Sequence, residues 1–211
     1  LAADRVDSTT GLQMAYLKQW APRSFNPLEL KEPDLIAGAG TAVQGDAMDV
    51  VEQLDEVDLA YLDPPYNQHR YFTNYHVWET LIRWDAPEHY GIACKRVDAR
   101  DDATKSVFNA KATMATAFAD LLQRVRAEIV VVSYNDESWI SRDEMVAALD
   151  AVGHEQVRIL DFDYKRYVGA QIGIHSPTGQ KVGEVKRLRN VEHVFIAGPT
   201  RRLAGLPVGL A

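Results

Sequence analysis

The sequence predicts an α/β fold, a mostly parallel sheet covered by helices and finished by a C-terminal antiparallel β-hairpin. Three observations carry this expectation. Two apolar runs, "VDLAYL" at 57–62 and "EIVVVSY" at 128–134, each stop at polar residues, with helical patterns between and after them. Strand-like and helix-like segments alternate, the order that parallel strands with crossover helices require. Two long strand-like segments close the chain around a turn-rich connection, as in a hairpin.

The elements follow in order. Ser8 is placed to cap a helix through "TTGLQMAYLKQW", with Leu12, Ala15, Tyr16 and Trp20 on its inner face. "APRSFNPLELKEP", with three prolines in thirteen residues, reads as an irregular connection. "TAVQGD" predicts a short strand ending at Asp46, and "AMDVVEQL" a short helix. "VDLAYL" predicts a strand buried by its continuous apolar character and ending at Asp63. Residues 67–75 read as loop and "VWETLIR" as helix. "APEHYGIACKRVDARDDATKS" is polar and poorly periodic, and predicts a mobile excursion. "ATMATAFADLLQRVR" sets Met114, Phe118, Leu121, Leu122 and Val125 at helical spacing. "EIVVVSY" predicts a strand buried on both faces, ending at Ser133-Tyr134-Asn135. In "SRDEMVAALDAVG", Ser141 and Glu144 form a capping box and Gly153 marks the stop. "EQVRILDFDYKRYV" and "VEHVFIAG" are the closing strands, with "SPTG" a turn between them.

Composition bounds the function. With 211 residues, 46% hydrophobic and 25% charged, the chain suits one domain with its own core. The single cysteine, Cys94, leaves no disulfide framework and fits a reducing, cytoplasmic setting. No apolar run approaches the roughly 18 residues that span a bilayer, so no membrane partner is expected. The formal net charge of −7 argues against nucleic acid. Yet "GDAMDVVEQLDEVDLAYLD" alone holds seven acids and no base, so the remainder is balanced. Basic residues gather at Lys181, Lys186, Arg187 and Arg189, on the predicted hairpin, and again at Arg201 and Arg202. Such a local face binds phosphates whatever the total charge. The six histidines include no two-histidine helical pair, and no metal site is expected.

In an open α/β sheet, ligands bind outside the carboxyl ends of the strands. Asp46, Asp63 and the Ser133-Tyr134-Asn135 group all fall at predicted strand ends. A carboxylate there is a pure acceptor for the hydroxyls or amino groups of a nucleoside. Asp63-Pro64-Pro65-Tyr66 is more specific. Its prolines fix the backbone and remove two donors, so a bare carbonyl joins the Asp63 carboxylate as an acceptor pair. An exocyclic amino group has two hydrogens to give, and Tyr66 offers a face on which a base stacks, worth about 1–3 kcal/mol.

"DPPY" after "VDLAYL" resembles the catalytic motif of S-adenosylmethionine-dependent amino-methyltransferases. The following "YFTNYHVWETL" resembles the Dam-like, adenine-specific DNA methyltransferases. "VQGDAMDVV" is similar to the segment whose acid contacts the cofactor adenine, "SFNPLELKEP" to the segment closing the target-recognition region, and "YKRYVGAQIG" with "RNVEHVFIAG" to the terminal hairpin. The likeness covers most of residues 24–198. It implies a Rossmann-like methyltransferase sheet, with residues 1–36 a remnant of the target-recognition region and 37–211 the catalytic domain. It implies methyl transfer from S-adenosylmethionine to N6 of a flipped adenine in double-stranded DNA. Asp63, Pro64, Pro65 and Tyr66 take the catalytic role, and Asp46 with Asp63 the cofactor. Tyr66, Asn67, Arg70, Tyr75, Lys186 and Arg187 are the expected DNA contacts, while Tyr71 and Phe72 either line the pocket or pack the loop. A cognate restriction endonuclease and a nucleoid-associated location go with that activity.

One departure stands out. The family's Phe-x-Gly-x-Gly cofactor loop is not found; "AGAG" at 37–40 follows no strand and reads as a flexible link, so the loop is expected upstream of Leu1. The alternatives are a DNA-binding module without catalysis, and an amino-methyltransferase acting on RNA guanine or on cytosine N4 in DNA.

Overall fold

The computed structural model describes Phe25, Pro27 and residues 34–91, 94–165, 174–175, 181–183 and 189–206. The helix expected at 8–20, most of the proline-rich connection and the "SPTG" turn lie outside the described residues. The chain divides into two compact units, one of Leu1–Ala42 with Gln68–Asn109, the other of Val43–Asn67 with Ala110–Ala211.

The second unit is a mixed sheet with helices. Its elements are α1 (Ala47–Gln53), β1 (Val57–Leu62), α4 (Lys111–Arg124), β4 (Ala127–Asn135), α5 (Arg142–Ala151), β5 (Gln156–Lys165), β8 (Arg189–Gly198) and α6 (Thr200–Leu203). The short strands β6 (Ile174–His175) and β7 (Lys181–Gly183) pair with each other. The main sheet has the order β1-β4-β8-β5. β1 and β4 are parallel, with Leu62 opposite Val132. β8 runs antiparallel to both β4 and β5 and lies between them. Among the described residues, three strands therefore share one direction and β8 opposes them, so one of the three pairings is parallel.

The core lies where the helices cover this sheet. α4 contributes Met114, Phe118, Leu121 and Leu122, the i, i+4, i+7, i+8 stripe that a helix turns to one side. α5 adds Met145 and Leu149, and the sheet adds Val130, Val132, Tyr134, Phe195 and Ala197. Each fully buried large apolar side chain stabilises by about 1.5–3 kcal/mol. α5 begins on the expected capping box: Ser141 accepts from the Glu144 amide while the Glu144 carboxylate accepts from the Ser141 amide. It stops before Gly153, whose φ of 93° is open to glycine at no steric cost. Gly198 has a different reason to be small: a Cβ there would sit 3.0 Å from the Glu128 carbonyl oxygen.

Three expectations for this unit are corrected. "TAVQGD" forms no strand; it is exposed and unpaired, and Asp46 instead caps α1, its Oδ1 accepting from the Met48 amide at 2.9 Å. "VDLAYL" is a strand, but Val57, Leu59 and Tyr61 are exposed. The reason is position: β1 is the sheet's edge among the described residues, paired with β4 alone, so an apolar run does not guarantee cover on both sides. Arg201 and Arg202 are not a free basic pair, because both grip the Glu128 carboxylate, at 3.0 and 2.7 Å. That carboxyl is held below its usual range, first by the Arg202 hydrogen bond.

The first unit holds α2 (Tyr71–Asn74), α3 (His76–Arg83), β2 (His89–Tyr90) and β3 (Lys95–Arg96), followed by three 3₁₀ turns up to Asn109. Two corrections fall here. Part of the expected 67–75 loop is the helical turn α2. The segment expected as a poorly periodic excursion contains, among its described residues, the paired strands β2 and β3 and a series of 3₁₀ turns. Arg96, 3% exposed, organises it. Its guanidinium donates to both Asp85 oxygens at 2.6 and 2.8 Å, to Asp98 at 2.7 Å and to Thr80 at 3.1 Å. The planar fork matches two carboxylates at once, which a lysine does not. Both aspartates are held below the usual carboxylate range by these bonds, and the guanidinium is held charged.

Candidate active site

The apolar residues of β1 keep it in the sheet as far as Leu62, and two prolines then end the ladder. Asp63 emerges level with Ser133 of β4. Pro64 is buried, Pro65 and Tyr66 are half-buried, and Asp63 is exposed. The backbone is thus anchored while the carboxylate is presented. Outside the regular ladders, no backbone amide among the described residues donates to the Pro64 carbonyl.

β4 braces this turn with consecutive residues. The Ser133 hydroxyl donates to Asp63 Oδ1 at 3.0 Å. It accepts in turn from the Tyr61 hydroxyl at 2.8 Å. Tyr134, 2% exposed, meets the Tyr66 ring edge-on, with centroids 6.4 Å apart and planes at 86°. Edge-to-face is the arrangement that the ring quadrupoles favour. Asn67 is half-buried and follows directly.

Glu192 of β8 stands opposite Asn135 in the β4–β8 register. Burial pushes its carboxyl above the usual range; a hydrogen bond from Asn135 opposes this, and the charge of Asp63 adds to it.

The site residues expected from sequence are therefore only partly gathered. Asp63, Pro64, Pro65, Tyr66 and Asn67 form one continuous turn in the second unit. Asp46, in the same unit, caps a helix and is exposed. Arg70 and Tyr75 belong to the first unit. There Tyr75 stacks on Tyr71 at 5.8 Å and 17°, and Arg83 lies 5.3 Å over the Phe72 ring. Arg70 precedes α2, with Nη1 buried and lacking a hydrogen-bond partner among the described residues. Lys186 and Arg187 lie outside the described residues. Their neighbour Arg189 is engaged by Asp163 at 2.8 Å. Sequence reasoning missed Tyr61, hidden inside an apolar run; its i, i+2 spacing from Asp63, which puts both on one strand face, was the available signal.

The arrangement thus presents an exposed carboxylate acceptor, held by a serine hydroxyl, beside a braced aromatic ring. Over residues 1–148 the chain matches the family model described as D12 class N6 adenine-specific DNA methyltransferase. The chain belongs to this family. Curated relatives agree. It is 31% identical over 165 residues to the type II methyltransferase M.FokI of Planomicrobium okeanokoites, covering 77% of this chain and 25% of that protein. It is 32% identical to the modification methylase StsI of Streptococcus sanguinis, with the same coverage. It is 30% identical to the type II methyltransferase M.CviAII of Paramecium bursaria Chlorella virus 1, over 79% of this chain and 48% of the relative. The chain thus spans about a quarter to a half of the length of these relatives. No solved structure matches it. As a D12-class chain it has an α/β sheet with Asp63-Pro64-Pro65-Tyr66 directly after β1.

Proposed function

We propose that the protein transfers a methyl group from S-adenosylmethionine to N6 of an adenine flipped out of double-stranded DNA. The observation that carries this reading is the Asp63-Pro64-Pro65-Tyr66 turn, with its carboxylate held by Ser133 and its ring braced by Tyr134. Asp63 and the Pro64 carbonyl accept the two N6 hydrogens. This draws the nitrogen lone pair out of conjugation and aims it along the line of attack. Tyr66 stacks on the base and Pro65 stiffens the turn. The target atom lies inside a stacked duplex, so the base must leave the helix to reach these groups.

The residues fit S-adenosylmethionine by their chemistry. Asp46, an exposed residue, uses Oδ1 on its helix cap, and its second carboxylate oxygen is an acceptor suited to the hydroxyls or amine of an adenosine. Asp63 is the second acidic contact. When bound, S-adenosylmethionine supplies an electrophilic methyl group. Ala37–Gly40 is irregular and exposed, which suits a link better than a cofactor loop.

Asn67, Arg70, Tyr75, Lys186 and Arg187 are the proposed DNA contacts. The buried, unpartnered Nη1 of Arg70 favours an anionic acceptor there. Residues 1–36 as part of a target-recognition region, 37–211 as a Rossmann-like catalytic domain, a cytoplasmic site of action and a cognate restriction endonuclease complete the reading. No helix among the described residues is long and apolar enough to cross a membrane. The test is Asp63→Ala in the full-length protein. Methyl transfer is expected to vanish while duplex binding persists, and unchanged transfer overturns the assignment. Titration with S-adenosylmethionine separates an enzyme, which binds it, from a DNA-binding module, which does not.

A further inference from the structure

We propose that Ser133, oriented by Tyr61, is a positioning residue that fixes the Asp63 carboxylate for the amino group it receives; this rests on the role of Asp63 proposed above. Three groups form a directed chain across two strands. The Tyr61 hydroxyl donates to Ser133 Oγ at 2.8 Å, and Ser133 Oγ donates to Asp63 Oδ1 at 3.0 Å. A serine hydroxyl has one proton to give. With Tyr61 filling a lone pair, that proton is committed to Asp63. Without Tyr61 only the bond to Asp63 orients the hydroxyl.

The placement explains why a chain of this kind is useful. Asp63 lies one residue beyond the strand and is exposed, so its side chain has no wall to hold it. Ser133 is 8% exposed and sits on β4, which is hydrogen-bonded on both sides. It therefore transfers the rigidity of a central strand to a carboxylate at an edge. Tyr61 is the informative member. The residue is 59% exposed, so burial does not account for it, yet its hydroxyl turns back to Ser133. Pinning Oδ1 leaves Oδ2 with a defined direction, and hydrogen bonds in series strengthen one another.

The test uses the full-length protein and compares Ser133→Thr with Ser133→Val. The two side chains have nearly the same shape, and only threonine keeps the hydroxyl. Ser133→Thr is expected to hold kcat within about threefold of wild type, and Ser133→Val to lose about ten- to hundredfold, the scale of a misplaced reacting group. KM for DNA and for S-adenosylmethionine, and the melting temperature, should match between the two. Tyr61→Phe should lose about three- to tenfold in kcat on its own and nothing more in the Ser133→Val background, as members of one unit behave. Equal kcat for the threonine and valine variants, at any level, overturns the proposal, as does an additive Tyr61→Phe loss. Asp63→Ala in the same assay keeps the two readings apart. If it is active, the role of Asp63 fails and the positioning role with it. If it is inactive while threonine and valine are equal, only the positioning role fails.

Discussion

Tyr134→Leu removes the ring against which Tyr66 rests. Tyr134 is 2% exposed, so its ring is fully part of the core behind the turn. Leucine keeps an apolar branch but leaves a gap, a transfer-plus-cavity loss of about 1–2 kcal/mol, below the roughly 3–5 kcal/mol of complete aromatic truncation. The edge-to-face pair with Tyr66 adds about 0.5–1.5 kcal/mol. The expected destabilisation is about 2–3 kcal/mol, read as a lower urea midpoint at unchanged slope. Tyr66 also loses its lateral stop. If the pair energy serves to hold that ring in place, kcat falls about two- to tenfold, since 1.36 kcal/mol is tenfold in rate. Tyr134→Phe keeps the ring and should keep kcat near wild type. Methyl transfer to a duplex under saturating conditions measures both. Phenylalanine and leucine variants with equally reduced kcat would refute the reasoning, because the ring could then not be the support.

Three further outcomes follow from the same geometry. Ser141→Ala removes a complete capping box and should destabilise by about 1 kcal/mol in thermal or urea unfolding, with no change in methyl transfer. Glu192→Gln should raise the melting temperature near neutral pH. The folded carboxyl titrates above its ordinary value of 4.5, so the folded state holds the proton more tightly than the unfolded state. Wild-type stability attributable to this group is therefore full below that value and declines as pH rises to the raised native one; the glutamine advantage should vanish in acid. Arg96→Met leaves Asp85, Asp98 and Thr80 without their shared donor, and limited proteolysis is expected to cut within 85–109 faster in the variant than in the wild type.

What was legible in the sequence was local. Ser141, Glu144 and Gly153 specify a helix by interactions within thirteen residues, and the structure builds that helix. The stripe from Met114 to Leu122 and the apolar run of β4 likewise carry their burial in their spacing. What was not legible depends on partners distant in the chain. "TAVQGD" has strand-like residues but no neighbouring strand to pair with. "VDLAYL" reads as doubly buried, yet an edge strand has one neighbour and leaves Leu59 and Tyr61 in solvent. The segment around Arg96 has no periodicity because a single guanidinium orders it, joining residues from 80 to 98. The tetrad itself was legible because it is contiguous. Its braces, Ser133 and Tyr134, are some seventy residues away, and only the β1–β4 register brings them to it.

The most direct measurement is of the nucleosides in unmethylated duplex DNA after incubation with the full-length protein and methyl-labelled S-adenosylmethionine. The label is expected in N6-methyladenine alone, and absent with Asp63→Ala. Label in N4-methylcytosine, or undiminished label with Asp63→Ala, would contradict the account.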